Sequence, residues 1–429
     1  WSMGDVATNS GFTQGGAVSM GRHSALILAA MAASSARAAS PKWWTNIGAP
    51  KFVAAPMVDQ SGLAFRLLAR KYGAELAFTP MIHAGVSQCP QRGRGYLARH
   101  FQTGDGDWPL VAQFAGADED EVSRSVARVL ERDPTNNVVA LDLNLGCPQQ
   151  IARKGRYGAF LLEDDVDAAA KVVARLRKDY CDGTGRVVTC KVRLMPDDGP
   201  ALRGTKERVA RLVDAGASAI TVHGRTRLQN KQHSGACDWS AIATLRASLP
   251  ADVVAIANGG IGCRGDVDRV LDATGCDAAM SSEGLLENPA LFAANVDPDD
   301  GSHVGQRRLA REYLALAAAT GAHVNDARAH VFKFAHGGLN AFPEVRAALA
   351  AAEDLAGVAA VVDELDARDP AGDRECRHHA PGFDEAASWY WRHRAAVAAP
   401  RDPGVVEARR LRKLRKAQAK ARSRTAKAR

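Results

Sequence analysis

The stretch Val138–Ala159 reads VVALDLNLGCPQQIARKGRYGA. Its opening run, Val138–Leu143, has the apolar composition of a buried strand. That run leads directly to Asn144, Gly146, Cys147 and Pro148. A thiol serving only packing would sit inside the apolar run as a small hydrophobe. This one stands where a strand opens into a loop, between a residue that frees the backbone and one that stiffens it. Strand ends of this kind are where α/β proteins place their chemistry.

Outward from this strand the same unit repeats. Short apolar runs predict strands at Phe52–Ala55, Leu76–Phe78, Leu110–Gln113, Val138–Leu143, Val187–Val192, Ala219–Val222, Val253–Ala257 and Ala278–Ser281. Helical periodicity falls between them at Gly62–Tyr72, Glu119–Arg132, Val166–Tyr180, Lys206–Ala215, Trp239–Ser248 and Arg264–Ala273. Eight βα units in succession predict an α/β fold, a (β/α)8 TIM barrel. A doubly wound sheet is the alternative, but the usual glycine fingerprint after its first strand is missing. After Pro289 the rhythm stops. Gln306–Ala319, Ala327–Phe334, Pro343–Ala352 and Glu353–Arg368 read as amphipathic helices of a small all-α domain.

The expected organisation is an extension at 1–48, the barrel at 49–295, the helical domain at 305–368, a linker at 369–400 and a tail at 401–429. Hydrophobic content of 46% with 24% charged residues is that of a globular protein. The tail holds 12 Lys/Arg against 2 Asp/Glu, so the net +8 of the whole leaves about −2 for the rest. Such a tail suits an anionic partner, with RNA, DNA and acidic membrane as the candidates, against a merely solvated end. No apolar run approaches the ~20 residues of a membrane span, so no membrane partner is expected. The eight cysteines contain no CxxC pair, and no metal is expected. Residues 21–40, acid-free and rich in Ala and Ser, read as a transit or signal peptide or as a disordered low-complexity extension. The expected compartment is the cytoplasm or nucleus, or an organelle if that segment is a transit peptide. In the linker, SWYWRHR (388–394) reads as a base-stacking segment or as packing against the helical domain.

Polar and special residues gather just after the predicted strands: Pro56-Met57-Val58, Gln113, Asn144 and Cys147, Lys191 and Arg193, His223 and Arg225, Asn258-Gly259-Gly260, and Ser282-Glu283-Gly284. In a barrel these converge on one rim. Glycines after strands seven and eight let backbone N–H groups approach a phosphate, which points to a phosphorylated cofactor. Arg153, Lys154 and Arg156 follow the cysteine, either as phosphate contacts or as an ordinary exposed basic loop.

With these residues in place, the sequence resembles the tRNA-dihydrouridine synthases. Leu141–Ala159 fits their signature at Asn144, Gly146-Cys147-Pro148, Ala152 and Gly158-Ala159. APMVDQSGLAFR, VAQF, CKVRL, ITVHGRT, IANGGI and EGLLENPALF extend the resemblance over residues 50–295, and more loosely to 368. PMVDQSG and SSEGLLENP look most like the eukaryotic tRNA-dihydrouridine(16/17) synthase branch. Where bacterial relatives usually carry Gly-Arg, this chain has Ser282-Glu283, so a phosphate there would rest on backbone donors.

The resemblance implies an oxidoreductase of tRNA processing. FMN in the barrel, reduced by NADPH or NADH, would reduce the C5–C6 double bond of a D-loop uridine. It implies Cys147 as the acid that protonates C5. It also implies FMN contacts from Pro56, Met57, Val58, Gln113, Lys191, His223, Asn258, Gly259, Gly260, Ser282 and Glu283. Lys191 would face the reduced ring, Gln113 its edge, and His223 the ring or phosphate. Asn144, Arg193 and Arg225 are candidates for substrate binding, and the helical domain for tRNA binding. Two rivals stand beside this reading: an FMN enzyme on a free pyrimidine, and a tRNA-binding barrel without chemistry. The helical domain and basic tail argue against the first, and the intact Cys147, Lys191 and His223 against the second.

Overall fold

In the computed structural model, eight parallel strands form a closed ring: β1 (Phe52–Ala54), β2 (Leu76–Phe78), β3 (Leu110–Ala115), β4 (Val138–Leu145), β5 (Val187–Leu194), β6 (Ala217–Thr226), β7 (Val254–Asn258) and β8 (Ala278–Ser281). Pairing of β8 with β1 and of β2 with β3 completes the barrel, and a two-residue strand, Ile82–His83, runs beside the end of β3. The structure describes residues 40–230, 234–297, 299, 301–370 and 388–391. The first 39 residues, most of the linker and the whole basic tail lie outside the described residues.

Side chains alternate across a strand with a period of two, so each strand presents one set to the barrel interior and one to the surrounding helices. The inward set begins apolar: Val53, Ala55, Leu76, Phe78, Val111, Ala140, Ala219, Val254, Ile256, Ala278 and Met280 pack as one interior cluster. Two residues further along the same parity stand Gln113, Asp142, Thr221 and Asn258. Beyond these come Asn144, Lys191, Arg193, His223 and Arg225. The barrel is therefore oily at its N-terminal end and polar at its C-terminal mouth. The outward set (Leu141, Leu143, Val188, Val192, Ile220 and Val222 among them) joins the helices in the main core.

Lys42–Asn46 is a short helix, and its buried Trp44, with Ile47, packs into the interior cluster below the strands. These residues belong to the packed barrel, which therefore begins before residue 49. The predicted helix over Val166–Tyr180 is α-helical to Leu176 and widens into a π turn at Arg177–Cys181.

After β8 come helices Gln306–Thr320, Val324–Phe334, His336–Ala341, Pro343–Ala351 and Leu355–Arg368. Gln306–Thr320 lies against Leu63–Lys71 of the barrel. Lys71 ion-pairs there with Asp297 at 3.2 Å and Glu312 at 3.3 Å, and the Tyr72 hydroxyl donates to Glu312 at 2.9 Å. The helices share the main core with the barrel.

Candidate active site

The loop carrying Cys147 is built by its own neighbours. Asn144 Oδ1 accepts from the backbone N–H of Gly146 at 3.1 Å and of Cys147 at 3.0 Å. Gly146 O accepts from Arg193 Nε at 2.9 Å, and Arg193 Nη1 also reaches Thr226 O at 2.9 Å, tying the β4 loop to the β6 loop. Ala159 N donates to Cys147 O at 3.1 Å. Gly158 has φ +69, and a Cβ on it would come within 2.6 Å of Cys147 O, so only glycine fits the return of the chain. Ala152, Tyr157 and Phe160 are buried beneath the thiol. The spaced residues of the sequence signature are thus the parts of one loop closed around a cysteine.

Beneath that loop a chain of directed hydrogen bonds runs into the barrel. Asp142 is fully buried, and its two oxygens accept from Thr189 Oγ1 at 2.6 Å and Gln113 Nε2 at 2.8 Å. An ionised carboxylate only accepts, so Gln113 must turn its NH2 toward Asp142 and its oxygen away. That oxygen accepts from Asn144 Nδ2 at 2.8 Å, which leaves Asn144 Oδ1 for the two loop N–H groups. Burial pushes the Asp142 carboxyl up to about 6, opposed by these hydrogen bonds and by the Lys191 charge.

At the mouth, a cavity of about 890 Å³ is walled by Pro56, Met57, Lys191, Arg193, His223, Arg225, Asn258, Gly259, Gly260, Ser282 and Glu283, together with Pro148 and Gln149 beside the cysteine. Lys191 Nζ donates to Asn258 Oδ1 at 2.8 Å, and Asn258 Nδ2 donates to Met280 O at 2.8 Å, so the lysine is aimed along the barrel wall. Burial lowers Lys191 to about 8, with the Arg193 charge adding to the effect. Burial and the Arg225 charge bring Arg193 down to about 10. Arg225 lies 3.1 Å from His223 Nε2. Burial pushes the Cys147 thiol up against the pull of its loop backbone and of Arg193 and Lys191, so the thiol keeps its proton at neutral pH.

Two of the predicted contacts are not among the residues lining this cavity. Gln113 is committed to the chain of bonds under the floor, and Val58 is 49% exposed on the β1 loop. Asn144 and Cys147 are likewise outside that lining, to which their loop contributes Pro148, Gln149, Gln150 and Ile151. Of the three basic residues after the cysteine, Arg156 pairs with Asp165 at 3.3 Å and Arg153 lies over the Phe160 ring. Sequence reasoning missed Gln60, Gln229, Asn230, Lys333 and Tyr390 as lining residues. Lys333 and Tyr390 come from outside the barrel, and no strand-end pattern marks them. A smaller cavity of about 280 Å³ lies by Phe65, Tyr313 and His330 and holds none of the strand-end residues.

The profile of the family described as Dihydrouridine synthase (Dus) matches residues 53–367. A Rattus norvegicus tRNA-dihydrouridine(16/17) synthase, NAD(P)(+)-like, is 38% identical over 76% of this chain and 69% of its own length. The tRNA-dihydrouridine(16/17) synthase of Saccharomyces cerevisiae is 41% identical over 58% of this chain and 55% of its own length. That of Schizosaccharomyces pombe is 34% identical over 72% of this chain and 75% of its own. This chain therefore spans between about half and three quarters of those relatives. The profile spans the strand ends and the closed cysteine loop described above, and the chain belongs to the dihydrouridine synthase family.

Proposed function

We propose that this protein is an FMN- and NAD(P)H-dependent tRNA-dihydrouridine synthase. It reduces the C5–C6 double bond of a D-loop uridine, and the relatives named tRNA-dihydrouridine(16/17) synthase support position 16 or 17. One observation carries the reading: a thiol that keeps its proton is held on the loop whose next residues, Pro148 and Gln149, line a cavity walled also by Lys191, Arg193 and Arg225.

The residues present fit an anionic, planar cofactor. Gly259 has φ +104, and a Cβ there would meet His223 Cδ2 at 2.8 Å and Cys237 Sγ at 2.9 Å, so a bare backbone at this turn is what lets His223 pack against it in the cavity wall. Lys191, Arg193 and Arg225 supply positive charge on the neighbouring wall. Pro56, Met57, Lys191, His223 and Asn258–Gly260 would hold FMN, with Ser282 and Glu283 contributing backbone. A bound FMN supplies hydride chemistry at its N5, and NAD(P)H restores it.

The chain's own part is acid catalysis and positioning. Cys147 holds a proton for C5 of the uracil, and its raised thiol pKa suits a donor rather than a nucleophile. Arg193 pins the donor's loop, and Asn144 sets the direction of its backbone. Ile151, 64% exposed, and Leu228, 56% exposed, stand on the β4 and β6 loops and offer apolar surface beside the mouth to an entering nucleotide.

The test is mass spectrometry of unmodified tRNA incubated with purified protein, FMN and NADPH. Dihydrouridine mapped to position 16 or 17 is the expected product. A flavin-loaded, NADPH-reducible protein that leaves tRNA unchanged would overturn the reading, and turnover of free uracil would redirect it to the pyrimidine rival.

A further inference from the structure

The strand-end cavity is not walled by the barrel alone. On its β8–β1 side the lining includes Trp389 and Tyr390, which lie beyond the helical domain and beyond the family match ending at residue 367. Both are buried, at 8% and 3% exposure. A buried carboxylate anchors them. Glu287, the last residue of the short helix Glu283–Glu287 after β8, is 2% exposed. It accepts from Trp389 N at 2.8 Å, Ser388 Oγ at 2.9 Å and Tyr390 N at 3.1 Å. Three donors on one carboxylate form a charge-assisted cluster that fixes the backbone of the segment. Ser388 Oγ also accepts from Trp391 N at 3.1 Å. Lys333 of the helical domain lies 5.5 Å from the centre of the Trp389 ring and donates to Gln60 of the β1 loop at 2.5 Å. The segment is thus held by the barrel and by the helical domain together.

Position in the ring decides what this wall serves. In a ring of eight strands β4 stands opposite β8. Cys147, which must meet the uracil, follows β4, whereas the aromatic wall adjoins the ends of β8 and β1. Met57 of the β1 loop and Leu286 of the helix after β8 line the same cavity, Lys333 stands over the Trp389 ring, and the cations Lys191 and Arg193 lie on β5. An aromatic wall across the strand ring from the proton donor suits the face of a flavin ring system rather than the base to be reduced.

We propose that Ser388–Tyr390 forms part of the FMN site, with Trp389 and Tyr390 packing against the ring system and Glu287 as the residue that positions them. This inference rests on the flavin reading above and adds residues that lie outside the family match.

The test uses the full-length chain, stripped of flavin and titrated with FMN while flavin fluorescence is followed. Trp389→Ala with Tyr390→Ala should raise the FMN Kd about 10- to 100-fold, the range for losing two aromatic contacts. Glu287→Gln, which keeps the shape but loses the charge, should weaken FMN in the same direction by a smaller factor. Trp389→Phe with Tyr390→Phe should restore most of the affinity. Thermal melts of the flavin-free variants check folding, and the two single alanine variants serve if the double one does not fold. Folded variants that bind FMN like wild type would overturn the inference, as would normal FMN binding with a raised KM for tRNA, which assigns the wall to RNA. A wild-type chain that binds no FMN would defeat the flavin reading itself, so the two failures are told apart.

Discussion

Cys147 keeps its proton because it is half-buried against Ala152, Tyr157 and Phe160, and the two nearby cations do not outweigh that burial. Cys147→Ala should therefore bind FMN and accept electrons from NADPH at wild-type rates. Dihydrouridine formation should fall about 10²–10⁴-fold, the range for losing a general acid. Stopped-flow flavin reduction and tRNA mass spectrometry separate the two steps, and an unimpaired yield of dihydrouridine would remove the cysteine from its role. Asp142 acts one layer deeper, through Gln113 and Asn144. Asp142→Leu leaves a buried amide and a hydroxyl without their acceptor, at a cost of about 1–3 kcal/mol. It should lower kcat while leaving the FMN Kd unchanged. Asp142→Asn can offer its oxygen to Gln113 and its NH2 to Thr189, and should restore most of the rate. The carboxyl is raised from 3.8 to about 6, so its contribution to stability is fully present below about 4 and is lost as pH rises through about 6. Denaturant melts at pH 5 and pH 7 should show that difference in the wild type and its absence in Asp142→Asn.

At the scale of elements, the turn after β7 shows how backbone conformation makes the pocket. Gly259 takes a φ that side chains resist, and it does so against His223 and Cys237. Gly259→Ala adds backbone strain of about 1–3 kcal/mol and a methyl group that presses on Cys237 and displaces His223 from the cavity wall. FMN affinity should drop at least about tenfold, with a smaller loss of melting temperature, as read by flavin titration and thermal denaturation. An unchanged Kd would mean that this turn does not face the cofactor. The eight strands were legible in the sequence because each is a short apolar run punctuated by polar loop residues. The helix Lys42–Asn46 was not. Five residues are too few to show a helical period, and Trp44 is buried only because the closed barrel offers a floor to cover.

At the scale of the molecule, charge is divided between a near-neutral body and a tail of 12 basic and 2 acidic residues. If a third to a half of the tail's charges engage tRNA phosphates, removing residues 401–429 should flatten the log–log salt dependence of binding by roughly 3–5 units. Binding at low salt should weaken, and saturating tRNA should largely restore turnover. Affinities of the full-length and shortened chains at several salt concentrations decide this. Parallel lines of equal affinity would leave recognition to the helices and the barrel rim.

The sequence alone determined the ring of βα units, the end of the barrel where the polar strand-end residues gather, and the loop after β4 that holds the cysteine. These are local properties: strand period, loop composition and the spacing of one signature. Tertiary structure decided the rest. Gln113 looks like a rim contact until Asp142 is found beneath it, because the direction of an amide is set by partners on neighbouring strands. Glu287 and Tyr390 lie 103 positions apart. No window of sequence joins them, and only the folded chain brings the carboxylate to the backbone it holds.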